Sequence, residues 1–541
     1  MNKLFKNIVF IALILGVISC KQDKLLDVLP YDSFTDATAF SSKARCELSV
    51  LGVYDAAQSG FYASGQVRGY PFGAASFSQG DMRGEDMLNQ ALFFQITYEN
   101  TYSSGSANNV YMWHTLYGLI NKANLVIEGL QTAGNSGVLS TADANKLIGE
   151  CRFLRAMAHH ELCIHFSRPY AEPNALGIVY RDFGIKDQAT IERAKSLSRE
   201  TVVSNYQKIL ADLDFAEANL PSDRQNIRAG KVAAIALKMR VKSHMGDWTG
   251  VKTEGAKLIN VANPSQSLIG GYKLTATPDG PFANNTSEEA VFSINNNNVD
   301  NSGPNGALAS MYGSPSLGGR GLVRVSPIAY NLPEWRCDDL RRGMLVKETS
   351  GARSYYTTKF RDYVNRTDLT PHIRFAEVVL MLAEAESRSS NSTSDNALAL
   401  LNAVRNRAVT AAANQYKLSN FATSKDLTKA ILAERRIEFL AEGKRWSDIH
   451  RLALDPDFST NGIPAKMAFA SATLSSYVCE VPVDTLRKSI PALPYSNFRF
   501  IWPIPQEETV VNPNIKEVRI STLQKIVELG FGGQLHLSIK L

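Results

Sequence analysis

Residues 231–261 read KVAAIALKMRVKSHM, then GD, then WTGVKTEGAKLINV. Lys231–Met245 predicts one helix, Gly246-Asp247 is typical of a tight turn, and Trp248–Val261 predicts a second helix. Such a helical hairpin resembles a tetratricopeptide unit, which buries its apolar faces by stacking on further hairpins. The stretch therefore predicts a mainly α-helical fold built on a scaffold of stacked helical pairs.

Two further helical pairs are predicted on either side of this one. Arg374–Arg388 and Ala397–Ala408 flank a polar break, and we expect Pro371 in the first turn of the earlier helix. Val110–Leu130 and Lys146–Phe166 predict the other pair, because apolar residues of the latter segment recur every three or four positions.

Between the helices lie two loop-rich segments, Gly60–Ser106 and Asn263–Trp335, which contain many Gly, Asn, Ser and aromatic residues. Loops of this length in a compact protein are usually functional or disordered. Sugars offer apolar C–H faces as well as hydroxyls, and ligand sites combine aromatic side chains with a few placed polar groups. The candidate ligand-binding aromatic residues are therefore Phe72, Phe77, Tyr98, Tyr102, Tyr312 and Trp335.

A charged stretch in the first loop-rich segment, Asp81-Met-Arg-Gly-Glu-Asp86, adds polar candidates. Asp81, Arg83 and Asp86 suit sugar hydroxyls, and the acids also suit a cation. A solvated loop explains the same residues equally well, so both interpretations stay open. Asn295–Asn298 lacks the spacing of a calcium loop and predicts a polar turn.

The segment Glu434–Arg451 reads ERRIEFLAEGKRWSDIHR. We expect Asp426 to cap its helix and Gly443 to end it in a left-handed conformation. Glu434 and Glu438 fall on the apolar face and so require cationic partners, for which the nearest candidates are Arg435, Arg445 and Arg451. Two carboxylates on adjacent turns of one helix do not converge from opposite sides of a scissile bond. We therefore interpret them as structural rather than catalytic.

The histidine-rich stretch His159-His-Glu-Leu-Cys-Ile-His165 does not fit a metalloprotease motif. That motif needs histidines at i and i+4 with a glutamate beside the first. His160 and His165 are five positions apart, about 140° around a helix, so they do not share a face. We predict ordinary core or surface histidines, with no metal site and no cofactor.

The N-terminus has the pattern of a bacterial lipoprotein signal. Two lysines precede the apolar run Ile8–Ile18, which at about 1.5 Å per residue is too short for a hydrocarbon core of about 30 Å. Ser19 precedes Cys20, and polar residues follow. We expect residues 1–19 to be removed and Cys20 to carry the lipid; the alternative is an ordinary secretory signal with an incidental cysteine. The net charge of +6 gives no case for nucleic-acid binding.

Five cysteines follow Cys20: Cys46, Cys151, Cys163, Cys337 and Cys479. An odd number leaves at least one unpaired. Cys151 and Cys163 lie too far apart on one predicted helix to be bridged. The pattern favours buried thiols over a disulfide framework.

Motifs distributed along the chain resemble the SusD/RagB family. The Glu434–Arg451 segment is the most specific of them. The others are Leu25-Leu26-Asp27, Phe34-Thr35-Asp36, Trp113-His-Thr-Leu-Tyr117, Glu150-Cys-Arg-Phe-Leu-Arg155, Pro371-His-Ile-Arg374, Leu401-Asn402-Ala-Val404-Arg405, Pro503-Ile-Pro505 and Asn512-Pro513-Asn514. The resemblance covers residues 20–516, with an N-terminal part to about 230 and a C-terminal part from 231. Residues 517–541 extend beyond the family pattern, with a docked helix expected around Thr522–Leu529.

The resemblance implies helical pairs that form a scaffold under a loop-rich, irregular half. It also implies a lipid-anchored outer-membrane protein, exposed at the cell surface, that binds a nutrient such as an oligosaccharide. That nutrient would pass to a TonB-dependent transporter of the SusC type, without catalysis. Two alternatives stay open: a glycan-cleaving enzyme that uses Asp81, Glu85 or Asp86, and a structural scaffold protein of the outer membrane.

Overall fold

The computed structural model describes residues 36–63, 65–67, 69–172, 174–351, 353–481 and 486–515. Its α-helices are α1 (Asp36–Ala39), α2 (Lys43–Gln58), α3 (Ala74–Met82), α4 (Leu92–Tyr98), α5 (Ala107–Asn135), α6 (Thr141–Phe166), α7 (Gln188–Ser196), α8 (Val202–Asn219), α9 (Lys231–Met245), α10 (Trp248–Gly255), α11 (Leu308–Tyr312), α12 (Pro327–Tyr330), α13 (Phe375–Arg388), α14 (Asp395–Arg405), α15 (Ser424–Glu438), α16 (Lys444–Arg451) and α17 (Gln506–Val511). None of these described helices combines the length and the apolar character that crossing a membrane requires.

The strands are short. They are β1 (Gly60–Tyr62), β2 (Gly65–Val67), β3 (Met87–Asn89), β4 (Ala290–Ile294), β5 (Val323–Val325), β6 (Leu345–Glu348), β7 (Ser354–Thr357), β8 (Thr370–Arg374), β9 (Gly462–Ile463) and β10 (Leu493–Pro494). Within the described residues they form antiparallel two-stranded sheets that pair β1 with β2, β3 with β5, β4 with β8, β6 with β7 and β9 with β10.

The predicted mainly α-helical fold with helical pairs is confirmed. Helix α5 packs on α6, α9 on α10, and α13 on α14. Helix α9 has its predicted bounds and ends at Gly246, whose φ of 70° is left-handed. Helix α10 ends earlier than predicted, at Gly255, where a Cβ would lie 2.8 Å from Leu382 of α13. The close approach of the two helices requires a glycine, and glycine also weakens the helix.

The two largest hydrophobic clusters of the described residues lie in different parts of the molecule. The larger is shared by the helical pairs. The second lies under the loop-rich segments and contains Phe77, Tyr98, Tyr312 and Trp335. The loop-rich half is therefore a packed layer with its own core, which matters for the site because it buries many of its aromatic side chains.

The sequence predicted that Pro371 would lie in the first turn of a helix, and this prediction is wrong. Pro371 lies in β8 opposite Ser293 of β4, and α13 begins only at Phe375. The fixed φ of proline suits an extended strand as well as a first helical turn, so the residue type alone does not decide between them.

The predicted ends of α15 are also shifted. Thr423 is the N-cap, and Asp426 completes a capping box from the third helical position. The helix ends at Glu438, and Gly443, with φ 69°, caps the start of α16 instead. The left-handed conformation predicted for Gly443 is thus present, but it belongs to the next helix.

Glu434 and Glu438 are buried, as predicted, but their partners differ from the predicted ones. Glu438 accepts hydrogen bonds from Arg341 at 3.1 Å, Arg374 at 3.0 Å and Arg407 at 2.6 Å, and Glu434 accepts one from Arg341 at 2.6 Å. Neighbours along a helix point to different sides, so the partners come from distant segments. The three expected arginines bind other carboxylates: Arg435 binds Asp448, Arg445 binds Glu85, and Arg451 binds Glu384.

A disulfide joins Cys337 to Cys479, so the expectation of buried thiols without disulfides is wrong for this pair. Both residues lie in irregular segments, 142 positions apart, where sequence spacing gives no spatial distance. The remaining described cysteines, Cys46, Cys151 and Cys163, are buried free thiols, as expected.

Several predictions concern residues outside the described ranges. These are the cleaved segment 1–19, the lipid anchor at Cys20, the first SusD/RagB-like motif and the C-terminal segment 517–541. The division of the domain near residue 230 also stays a prediction.

Candidate functional site

A large open groove lies on the surface where the β1–β2 hairpin, α4 and the start of α5 meet. Its volume is about 1130 Å³, and we call it the main groove. Its lining comprises Tyr62, Ala63, Gly65, Gln66, Val67, Tyr70, Ala75, Leu92, Phe93, Phe94, Ile96, Ser106, Ala107, Asn108, Tyr111, Asn305 and Arg320.

Aromatic rings form much of the main groove. The ring centroids of Tyr62 and Tyr111 lie 5.6 Å apart, and Tyr70 contacts Tyr111 edge-on at 5.9 Å. Phe93 is 48 % exposed and its neighbour Leu92 is 87 % exposed. Exposed rings of this kind leave apolar faces available to a ligand.

The hairpin and α4 are held in place by specific contacts. A Cβ on Gly60 would lie 2.6 Å from the Thr115 side chain, so only glycine lets β1 approach α5 this closely. Asn108 of α5 donates through Nδ2 to Phe93 O at 2.9 Å and to Thr97 Oγ1 at 3.0 Å. These bonds fix α4 against α5, so the main groove is preformed.

Buried polar groups support the floor of the main groove. Gln79 donates to the Tyr70 hydroxyl at 2.9 Å, and that hydroxyl donates to Asn108 Oδ1 at 3.4 Å. Burial raises the pKa of Tyr70, so its hydroxyl stays neutral and keeps its hydrogen.

A second opening, the side groove, adjoins the main groove and has a volume of about 580 Å³. The two share Tyr62, Ala107 and Tyr111, and helix α17 forms the far wall of the side groove. Glu507 of α17 lies 2.6 Å from His114 Nε2 and accepts a hydrogen bond from the Tyr62 hydroxyl at 3.1 Å. Tyr62 therefore stands between the grooves, with its ring 4.9 Å from that of His114.

The nine candidates predicted from the sequence line neither groove. All are buried, with exposed fractions of 4 % or less: Phe72, Phe77, Asp81, Arg83, Asp86, Tyr98, Tyr102, Tyr312 and Trp335. Most of their polar groups have partners inside the protein, although Arg83 Nε and Trp335 Nε1 have no hydrogen-bond partner among the described residues. The Tyr98 hydroxyl donates to Met467 O at 2.6 Å, and the Arg83 guanidinium lies 3.4 Å from the Trp446 ring centroid. Their role as ligand-binding residues stays a prediction.

Asp81 and Tyr312 are brought together, since the Tyr312 hydroxyl donates to Asp81 Oδ2 at 2.6 Å. Burial raises the pKa of Asp81 to about 8, although the bond from Tyr312 opposes this rise. One interpretation of the sequence was that the Asp81–Asp86 stretch is a solvated loop. Its buried acids show that it is not.

The other two acids of that stretch are tied to arginines. Arg436 donates to both oxygens of Asp86, at 2.8 and 2.7 Å, and Arg445 donates to Glu85 at 2.7 Å. Burial acts to raise the pKa of Glu85, but Arg436 and Arg445 outweigh it and lower the pKa to about 2. These contacts join the end of α3 to α15 and α16.

His160 and His165 are buried in the core. The sequence predicted either core or surface positions for them. His165 Nε2 lies 3.1 Å from Glu161, and His165 Nδ1 lies 3.1 Å from Arg83 Nη1. Across the described part of the chain, no group of three or more His, Cys, Asp or Glu residues has an arrangement that could hold a metal ion.

Part of the main-groove lining comes from the two loop-rich segments, but none of the candidate residues named from the sequence is among it. Tyr62 and Phe93 lie in the first loop-rich segment, and Asn305 and Arg320 in the second. One signal was present in the sequence. Leu92, Phe93 and Ile96 form an apolar cluster, and the segment that carries them is too short to form two helical turns with all of these side chains buried. Tyr111 gave no signal, because it lies on a long amphipathic helix.

Comparisons with known proteins agree with this architecture. A sequence model of the SusD family matches residues 326–519, and one described as "Starch-binding associating with outer membrane" matches residues 25–242. SusD-like protein P2 of Formosa agariphila is 26 % identical over 512 residues, which cover 86 % of this chain and 94 % of that protein.

Solved structures agree as well. A SusD superfamily protein from Bacteroides fragilis is 25 % identical and superposes with a TM-score of 0.69, covering 88 % of this chain and 99 % of that one. Another, from Bacteroides thetaiotaomicron, is 21 % identical with a TM-score of 0.71, covering 88 % and 100 %. The chain belongs to the SusD/RagB family.

Proposed function

We propose that this protein binds an oligosaccharide in the main groove and delivers it to a TonB-dependent outer-membrane transporter of the SusC type, without cleaving it. The observation that carries the proposal is the lining of the main groove. Tyr62, Tyr111 and Phe93 offer apolar faces for sugar rings, while Gln66 and Asn305 offer amides for hydroxyls.

The size of the main groove suits more than one sugar ring. Its volume of about 1130 Å³ exceeds the range of about 300–1,000 Å³ that is typical of small-molecule sites. The groove is also open along the surface and continues past Tyr62 into the side groove. An extended oligosaccharide fits such a shape better than a single small molecule does.

The placement of acidic groups supports binding over cleavage. Glycosidases normally use two carboxyl groups that face each other across the scissile bond. The described lining of the main groove contains no carboxylate. Glu507 of the side groove is occupied by His114 and Tyr62, and Glu85 and Asp86 are held by arginines away from both grooves.

If the protein were purely a structural scaffold, which is the other alternative, the main groove would have no role. Large exposed apolar side chains such as Leu92 and Phe93 are costly to leave in water without a partner. A preformed groove flanked by such residues supports ligand capture.

Two features support delivery to an outer-membrane partner. The matched family model carries the description "associating with outer membrane". A lipid on Cys20 would confine the protein to the membrane surface, where its effective concentration near a barrel is raised. Capture by this protein and uptake by the barrel would then need no chemistry from this chain.

A glycan array tests the binding function, with Phe93→Ala as the probe variant. We expect Phe93→Ala to weaken binding of the captured oligosaccharide about tenfold or more, as for the loss of an aromatic contact of about 1.4 kcal/mol. Phe61→Ala is the matched control, because Phe61 is 65 % exposed on the same strand as Tyr62 but lines neither groove. Equal effects of the two substitutions would contradict a site in the main groove.

Chromatography of the bound oligosaccharide after incubation tests the absence of catalysis. We expect it to be recovered intact, and protein-dependent cleavage would overturn this part of the proposal. For the partner, we expect gently solubilised protein to co-purify with a large outer-membrane barrel. Recovery of the protein alone after crosslinking in the presence of ligand would contradict the delivery step.

A further inference from the structure

Arg320 is the one charged residue in the described lining of the main groove. Its side chain contacts the Pro304 carbonyl at 3.3 Å, Asn305 Oδ1 at 2.5 Å and Met311 Sδ at 4.0 Å, all through Nη1. No described carboxylate forms an ion pair with it. By contrast, the buried arginines Arg341 and Arg374 each bind more than one carboxylate.

The backbone around Arg320 is well anchored. Arg320 N donates to the carbonyl of Ser310, in α11, at 2.8 Å, and Gly321 N donates to Gly313 O at 2.9 Å. The bonds from Nη1 to Pro304 and Asn305 then orient the guanidinium. A charged group held this way loses little conformational freedom when it binds a ligand.

The guanidinium keeps donors for a ligand. Its Nε and Nη2 groups have no hydrogen-bond partner among the described residues, and together they form the edge that binds carboxylate or sulfate through two parallel bonds. The group is exposed, so binding an anion there does not require a buried ion pair to be opened first.

The two grooves differ in charge. The main groove carries Arg320, whereas the side groove carries Glu507, which His114 and Tyr62 already engage. An acidic group on a ligand is therefore attracted toward Arg320 and disfavoured near Glu507. The pair of charges would also fix the direction in which an asymmetric ligand lies.

We infer that the main groove selects an acidic oligosaccharide and that Arg320 binds its carboxylate or sulfate group. The inference rests on the proposed function, because it specifies the chemical class of the ligand of that same groove. It assigns recognition of the sugar rings to Tyr62, Tyr111 and Phe93, and recognition of the charge to Arg320.

Titration calorimetry with matched pairs of oligosaccharides tests this inference. One arm compares oligogalacturonate with its carboxyl-reduced form, and the other compares sulfated carrageenan oligosaccharides with their desulfated form. In at least one arm, we expect the acidic member to bind about tenfold or more tightly than its neutral counterpart. The arm that shows the difference identifies the anion as carboxylate or sulfate.

Substitutions at Arg320 test whether this residue causes the preference for the acidic oligosaccharide. We expect Arg320→Gln to abolish the preference for the acidic member and its dependence on salt, and Arg320→Lys to keep part of both. Arg353→Gln is the control, because Arg353 is exposed and lines neither groove. Equal affinity of the unmodified protein for both members in both arms, or an unchanged preference in Arg320→Gln, would overturn the inference.

The same titrations separate this inference from the proposed function. If neutral members bind as well as acidic ones, and Phe93→Ala still weakens that binding, the acidic preference is wrong and the binding function stands. If no oligosaccharide binds on the array or in the titrations, both are wrong.

Discussion

Arg374 Nη1 lies 3.0 Å from Glu438 Oε1, so strand β8 and the end of helix α15 are joined by a buried ion pair. Burial alone would raise the pKa of Glu438, but Arg407, Arg374 and Arg341 outweigh it and lower the pKa to about 2. This carboxylate is where three segments distant in sequence meet.

Replacing Glu438 with alanine should therefore destabilise the fold. The substitution leaves buried guanidinium groups without their counter-charge, at a cost of about 3–5 kcal/mol in the free energy of unfolding. Urea unfolding measures this loss. Glu192→Ala, at an exposed surface ion pair, is the control and should change stability by less than about 1 kcal/mol. A Glu438→Ala protein that unfolds normally but binds no ligand would move this residue into the binding site.

The disulfide between Cys337 and Cys479 should contribute strongly to stability. It closes a loop across a sequence separation of 142 residues, for which the chain-entropy estimate is about 5 kcal/mol. Reduction, or Cys337→Ser with Cys479→Ser, should lower the urea midpoint. Reductant should have no further effect on the double variant, since Cys46, Cys151 and Cys163 are already free thiols. A midpoint unchanged by reduction would contradict this prediction.

Buried histidines should make the protein sensitive to mild acid. Burial lowers the pKa of His160, His372 and His450 to about 3, from 6.5 when exposed. Below about pH 6.5 the unfolded chain takes up protons that the folded protein does not. The contribution of these neutral histidines to the free energy of unfolding is thus complete above that pH. It is lost as the pH falls toward 3, by about 1.4 kcal/mol per pH unit for each histidine.

Urea unfolding at a series of pH values between about 6.5 and 4.5 checks this dependence. Carboxylates with lowered pKa, such as Glu377, affect stability only below their own unfolded value of 4.5. Asp81, whose pKa is raised to about 8, binds one proton more in the folded protein than in the unfolded chain across this window, so it opposes the histidines, whose larger number sets the sign of the slope. His160→Gln should reduce the slope by about one proton. A stability that does not vary over this window would contradict the assignment.

Substitutions at two phenylalanines test whether the ligand binds at the residues predicted from the sequence or at those that line the main groove. Phe77→Ala should cost about 3–5 kcal/mol of stability, because Phe77 is 4 % exposed in the second core. It should leave the ligand affinity of the folded fraction unchanged, whereas Phe93→Ala should do the reverse. If Phe77→Ala folds normally and loses binding, the ligand site lies at the residues named from the sequence.

The helical half was predictable because periodicity and turn residues are local signals. Lys231–Met245 and the turn at Gly246-Asp247 illustrate this, since both follow from residues within one segment. Partners of buried charges were not predictable in the same way. The groups that surround Glu438 come from Arg341, Arg374 and Arg407, and nothing local indicates which distant arginine arrives there.

Exposure of aromatic residues in the loop-rich half was the hardest property to predict. Tyr98 and Phe93 lie on the same short helix, yet Tyr98 is buried and bonded to Met467 O while Phe93 faces solvent. Which side is covered depends on segments hundreds of residues away. The sequence therefore indicated the loop-rich segments that contribute to the main groove, but not the individual side chains that line it.

The most direct test of the central claim is a crystal structure of the protein with the oligosaccharide selected on the array. We expect sugar rings in the main groove, packed on Tyr62, Tyr111 and Phe93, with any acidic group bonded to Arg320. Sugar bound elsewhere on the surface, with the main groove occupied only by solvent, would contradict it.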